Sequence, residues 1–124
     1  MSVPVDLVAL ESTIEELGVE ALLVTVTADG RPHIVSVLVT WVDGSVQMGA
    51  GNRTRSNVAT NTDVTLIWPT LRDGSYRLIV DGTAFVAADD DPLVVTPTFA
   101  VLHRSAGTTG NGPTCVPIAC ELPE

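Results

Sequence analysis

Two arginines, two hydroxyls and an amide occupy five consecutive positions, Arg53-Thr54-Arg55-Ser56-Asn57, close behind the small residues Gly49-Ala50-Gly51. That is the chemistry of an anion site, and of a phosphate site in particular. Guanidinium groups donate charge-assisted hydrogen bonds to phosphate oxygens. Thr54 and Ser56 add hydroxyl donors, and Gly49 and Gly51 allow the backbone to come close to a ligand. A helix starting here would add free N–H groups and the positive end of its dipole. The same residues also suit an exposed loop whose arginines meet local carboxylates, and on these residues alone both readings stand. The segment is not a Walker A loop, because the Gly-Lys-Ser/Thr ending is missing. It is not a dinucleotide-binding turn, because no βαβ unit surrounds it.

The rest of the chain offers little catalytic chemistry. His33 and His103 are the only histidines, and no motif gives either a nucleophile or a carboxylate partner. Neither a G-x-S-x-G nor an H-E-x-x-H pattern is present, so hydrolase readings have no support. The stretch His33–Val39, polar at Ser36, could lie with its backbone along a flat aromatic ligand. Trp41 suits core or dimer packing. Trp68 could cover a cofactor ring or seal the core.

Charge narrows the ligand. The net charge is -9, and all six basic residues are arginines. A nucleic-acid partner is excluded, since it requires clustered basic charge. Two neighbouring arginines in so acidic a chain point to one specific anion. Asp89-Asp90-Asp91 reads as a solvated turn. Cys115 and Cys120 have an odd separation and face opposite sides of any strand that holds them. They read as small apolar residues without a disulfide, as in a reducing compartment. There is no run of about 18 apolar residues and no basic-then-apolar leader. The expected location is cytoplasmic, with no membrane partner.

Periodicity then gives the elements that position these residues. The 124 residues fit one domain with one core. Leu7, Leu10, Ile14 and Leu17 predict a helix over residues 5–17, stopped by Gly18. Alternating patterns predict strands at 20–28 and 33–42 and a third through Val46, Met48 and Ala50, joined by tight turns at Asp29-Gly30 and Asp43-Gly44. A short helix is expected at 54–61, then strands at 64–68 and 76–87, with a turn at Arg72–Ser75 between them. Gly82 is expected at a bulge or a close approach. Val94, Val95, Phe99, Val101 and His103 suit a further strand. Residues 105–113 read as a loop and 114–120 as a final strand. Several strands with tight turns and two helical pieces predict a mainly β fold, a small barrel.

In their order, these pieces resemble the pyridoxamine 5'-phosphate oxidase-like family of flavin-binding split β-barrels. The resemblance runs from about residue 5 to residue 104. It is carried by Ala21–Thr25, Asp29-Gly30-Arg31-Pro32-His33, Asp43-Gly44, Arg53–Val58, Asn61-Thr62-Asp63-Val64 and Asp81-Gly82-Thr83-Ala84. It implies a six- or seven-stranded split barrel that forms a homodimer and binds FMN, or the deazaflavin F420, at the subunit interface. It further implies that Arg53, Thr54, Arg55 and Asn57, with Gly49, meet the phosphate, and that Val35, Ser36 and Val37 lie beside the ring. By the same resemblance, Trp68 and residues near Tyr76 and Arg77 would reach the partner's site. The chain departs from the family pattern in having no lysine, so Arg53 carries the charge with a different donor geometry. The implied activity is a flavin-dependent oxidoreductase acting on a small molecule. The alternatives are an F420-dependent reductase and a non-catalytic flavin- or haem-binding carrier dimer.

Overall fold

The computed structural model describes residues 2–69, 76–86, 88 and 91–104. The expectations for the Arg72–Ser75 turn, for Asp89 and Asp90, for residues 105–124 and for both cysteines lie outside them. In chain order the elements are strand β1 (Ser2–Pro4), a 3-10 turn (Leu7–Ala9), helix α1 (Leu10–Leu17), and strands β2 (Glu20–Val26), β3 (Pro32–Val42) and β4 (Ser45–Met48). Helix α2 (Asn52–Thr60) follows, then strands β5 (Asp63–Trp68), β6 (Arg77–Phe85) and β7 (Leu93–His103).

The strands pair in the order β7-β4-β3-β2-β5-β6, and β6 returns to β7, which closes a six-stranded antiparallel barrel. β1 lies outside, paired with the last residues of β7 at Pro4–Val101. The mainly β, split-barrel expectation therefore holds. β1 was missed, because three residues carry no readable alternation. The closing strand β7 was read from its apolar residues despite Pro97.

Alternation sets which side chains turn inward. β2 and β5 bury every second residue, and the core gathers Leu23, Leu66, Leu78, Val80, Val46 and Val95 at or near zero exposure. α1 adds Leu10 and Ile14 to this core, but Leu7 and Leu17 stay 40% exposed. The helix expected over residues 5–17 is shortened to Leu10–Leu17, because Leu7–Ala9 forms a 3-10 turn in which Asp6 accepts a hydrogen bond from the Val8 N–H at 3.0 Å. Trp68 is 1% exposed, and its indole Nε1 donates to the Gly18 carbonyl at 3.0 Å, tying β5 to the corner after α1. None of the helices is long and apolar enough to cross a membrane among the described residues.

The two Asp-Gly turns differ. Asp43 and Gly44 both have positive φ, 48° and 82°, as a two-residue I′ hairpin requires. At the first hairpin Val26 pairs with Pro32, so residues 27–31 form a longer loop. Only Gly30 is left-handed there, and the Thr27 hydroxyl accepts the Arg31 N–H at 3.0 Å. The tight turn expected at Asp29-Gly30 is present within this loop: the Gly30 N–H donates to the Thr27 carbonyl at 2.9 Å and the Thr27 N–H to the Arg31 carbonyl at 2.8 Å, with the Thr27 hydroxyl doing part of the closing.

The bulge expected at Gly82 is present. The register between β6 and β7 shifts at Asp81/Gly82, where Gly82 faces Pro97 and Asp81 faces Phe99. This places Pro97 at an irregular point of the ladder, where its missing N–H is tolerated.

Candidate functional site

β3 is paired unevenly. On one edge β2 covers it from Pro32 to Leu38, and on the other β4 covers only Val39 to Val42. Residues 33–38 therefore keep one edge on which no strand pairs among the described residues. Their alternate N–H and C=O groups on that side are free to recognise a ligand. The chain leaves β4 at Met48, opposite Val39, runs through Gly49–Gly51 and enters α2 at Asn52. Between the open edge and this segment lies a groove of about 370 Å³, within the range of small-molecule sites.

Six of the residues expected at a cofactor line this groove: Val35, Ser36, Val37, Gly49, Arg53 and Thr54. His33, Ala50, Gly51 and Asn52 line it too. Ala50 and Gly51 belong to the small-residue run noted in the sequence, and Asn52 joins that run to Arg53. Gly49 and Gly51 have no positive φ, and a Cβ on either would meet no atom within 4 Å. The fold does not require glycine at these positions; what the glycines leave is room in the groove.

Arg53 is exposed and makes no hydrogen bond or ion pair among the described residues. α2 begins at Gly51 without a side-chain cap, so its first-turn N–H groups lack the usual satisfaction. A free guanidinium and an uncapped helix end in one groove make an anion cradle.

Arg55, Asn57 and Trp68 stand outside the groove. Arg55 donates through Nε to the Ala50 carbonyl at 2.8 Å and through Nη2 to the Asp91 carbonyl at 2.7 Å, bracing the glycine segment against the approach to β7. Its Nη1 is buried without a partner. Asn57, 6% exposed, donates through Nδ2 to the buried Thr25 hydroxyl at 3.0 Å and pins α2 to β2. Trp68 belongs to the core, as described above. In the structure Arg55 and Asn57 brace the groove wall: residue 55 lies about 200° around α2 from residue 53, and Asn57, one turn on from Arg53, reaches the Thr25 hydroxyl of β2. Asn57→Leu is expected to lower stability by about 1–3 kcal/mol, since the Thr25 hydroxyl loses its buried partner. Urea denaturation checks this, and an unchanged midpoint would show that the pair is idle. No group of three metal-ligating side chains occurs among the described residues.

The comparisons with known proteins follow this geometry. No protein-family model matches the chain. Several solved structures share the fold. A FAD binding protein of Mycobacterium smegmatis superposes with a TM-score of 0.62 at 17% identity, over 84% of this chain and all of the other. A candidate pyridoxamine 5'-phosphate oxidase of Listeria innocua gives 0.60 at 18% identity, over 77% and 99%. An F420 reductase gives 0.54 at 17% identity, over 66% and 88%. The fold is the split β-barrel of the pyridoxamine 5'-phosphate oxidase-like proteins. By sequence the chain belongs to the family of the uncharacterized protein Mb0449c of Mycobacterium bovis, to which it is 41% identical over 69% of this chain and 71% of that one. It matches the uncharacterized protein MT0457 of Mycobacterium tuberculosis to the same extent.

Proposed function

We propose that the protein is a homodimeric oxidoreductase that binds FMN in this groove and acts on a small molecule. The carrying observation is the pairing of an open β3 edge with an anion cradle in one groove. A flavin mononucleotide joins a flat ring rich in hydrogen-bonding atoms to a single phosphate, and each part has its counterpart here. Arg53 and the N–H groups at the start of α2 would hold the phosphate, while backbone groups of Val35–Val37 would meet the ring. Gly49 and Gly51 would leave room between them. Bound flavin would supply the hydride chemistry. The chain's own part would be to fix the ring, exclude water from it and leave one face open to substrate; no side chain need act as acid or base. Reduced nicotinamide donors would place this activity in the cytoplasm.

The dimer would form on the outer face of β3. Ile34 and Leu38 are 57% and 65% exposed there, an apolar stripe that a second copy would cover. F420 takes second place as a ligand. Among the described residues Arg53 is the only arginine lining the groove, which suits one phosphate better than the polyanionic tail of that cofactor.

Titrating the purified protein with FMN, followed by absorbance and flavin fluorescence, tests the reading. Micromolar or tighter binding is expected, with bleaching of the bound flavin by a nicotinamide donor in the absence of oxygen. Binding without bleaching would favour the carrier. Tighter binding of F420 than of FMN would replace the cofactor, and binding of neither would remove the reading.

A further inference from the structure

We infer that Arg55 is a positioning residue for the cradle: it holds the Ala50 carbonyl from outside the groove and so turns the Gly51 N–H toward the phosphate; this rests on the FMN reading above. The Ala50 carbonyl and the Gly51 N–H belong to one peptide unit, which is trans, so they point in opposite directions. The carbonyl accepts from Arg55 Nε at 2.8 Å, and Arg55 does not line the groove. The N–H therefore points away from Arg55, on the side where Gly51, Asn52 and Arg53 line the groove. It has no hydrogen-bond partner among the described residues. A free backbone donor thus stands two residues from the free guanidinium of Arg53.

This peptide needs a lock. Gly51 has no Cβ to restrict it, so the Ala50–Gly51 unit can turn over at little steric cost. Turned over, it would aim a carbonyl oxygen at the phosphate and leave Arg55 Nε without its acceptor. Arg55 opposes that state from two sides. Nε holds the Ala50 carbonyl, and Nη2 donates to the Asp91 carbonyl at 2.7 Å, which fixes the fork against the approach to β7. Nη1 is sealed from solvent without a partner. A sealed donor with no acceptor works against folding, so stability alone does not account for a guanidinium in this place. Arg53 would bring charge to the phosphate, and Arg55 would keep the backbone beside it in a donor orientation.

Arg55→Lys separates position from charge. It keeps the charge but replaces the fork with one ammonium, which cannot donate along both fixed directions. FMN and riboflavin share ring and ribityl chain and differ by the phosphate, so dissociation constants for both are measured by fluorescence titration on the wild type and this variant. The expected result is roughly tenfold weaker FMN binding in Arg55→Lys, as loss of one hydrogen bond to a charged group implies. Riboflavin affinity should stay at the wild-type value. In isotope-labelled wild type, the Gly51 amide proton resonance should move downfield when FMN is added and not when riboflavin is added. Unchanged FMN affinity in Arg55→Lys, with the wild type binding FMN, would overturn the positioning role, since charge alone would then suffice. Equal losses for FMN and riboflavin would also overturn it, because Arg55 would then serve the shape of the groove. A Gly51 amide that FMN leaves unmoved would overturn the contact. Failure of the wild type to bind FMN would overturn the flavin reading and this role with it.

Discussion

Replacing Arg53 with alanine is expected to weaken FMN binding by roughly 10- to 150-fold while leaving the fold as stable as before. The affinity term follows from the loss of charge-assisted hydrogen bonds, about 1.5–3 kcal/mol. The stability term follows from the free state of the side chain: Arg53 is exposed and has no partner among the described residues. Surface substitutions of this kind stay within about 0.5 kcal/mol. The neighbouring arginine provides the contrast. Arg55 holds two carbonyls, from Ala50 and Asp91, and its removal would loosen the groove wall. A titration of Arg53→Ala, alongside a thermal melt, separates binding from folding. Wild-type affinity in that variant would mean that the phosphate, if bound, sits elsewhere.

The second large effect concerns the fold. Gly82→Ala is expected to destabilise the barrel by about 2–3 kcal/mol. A Cβ at residue 82 would stand 2.7 Å from the Thr96 carbonyl oxygen and 2.7 Å from Val95 Cγ1. The valine methyl can rotate away, but the carbonyl belongs to the β7 backbone and moves only with its ladder. The strain falls on the β6–β7 seam, which closes the barrel. A fall in the urea midpoint, at unchanged slope, is the expected outcome. A midpoint within about 0.5 kcal/mol of wild type would show that β7 shifts freely at its bulge.

Gly82 also shows what the sequence makes legible. A glycine inside a strong strand pattern marks a close approach, and the physical cause, a missing Cβ, is local. The same holds for Asp43-Gly44, whose positive φ values are a property of two residues. Asp29-Gly30 has the same dipeptide and also turns the chain, but in a longer loop that the Thr27 backbone and hydroxyl help to close. The site follows this division. Residue types picked out the arginine segment, but which arginine faces the groove and which a carbonyl depends on how α2 seats on the barrel. The Asn57–Thr25 bond that ties it there joins residues 32 positions apart. Asn52 shows the opposite failure: it lines the groove between residues picked out by their type, while its own type announced nothing. The open β3 edge is legible only from the unequal lengths of β2 and β4.

That edge has a second consequence. An unpaired run of backbone donors and acceptors is a template for any extended chain that meets it. A split barrel must leave this run bare enough to receive a ring, yet guard it against polypeptide. Here the guard is the wall of the groove: Gly49–Thr54 lines it opposite the edge, leaving a groove of about 370 Å³ between them. The feature that admits a ligand is thus also what keeps one copy of the protein from growing a strand onto the next.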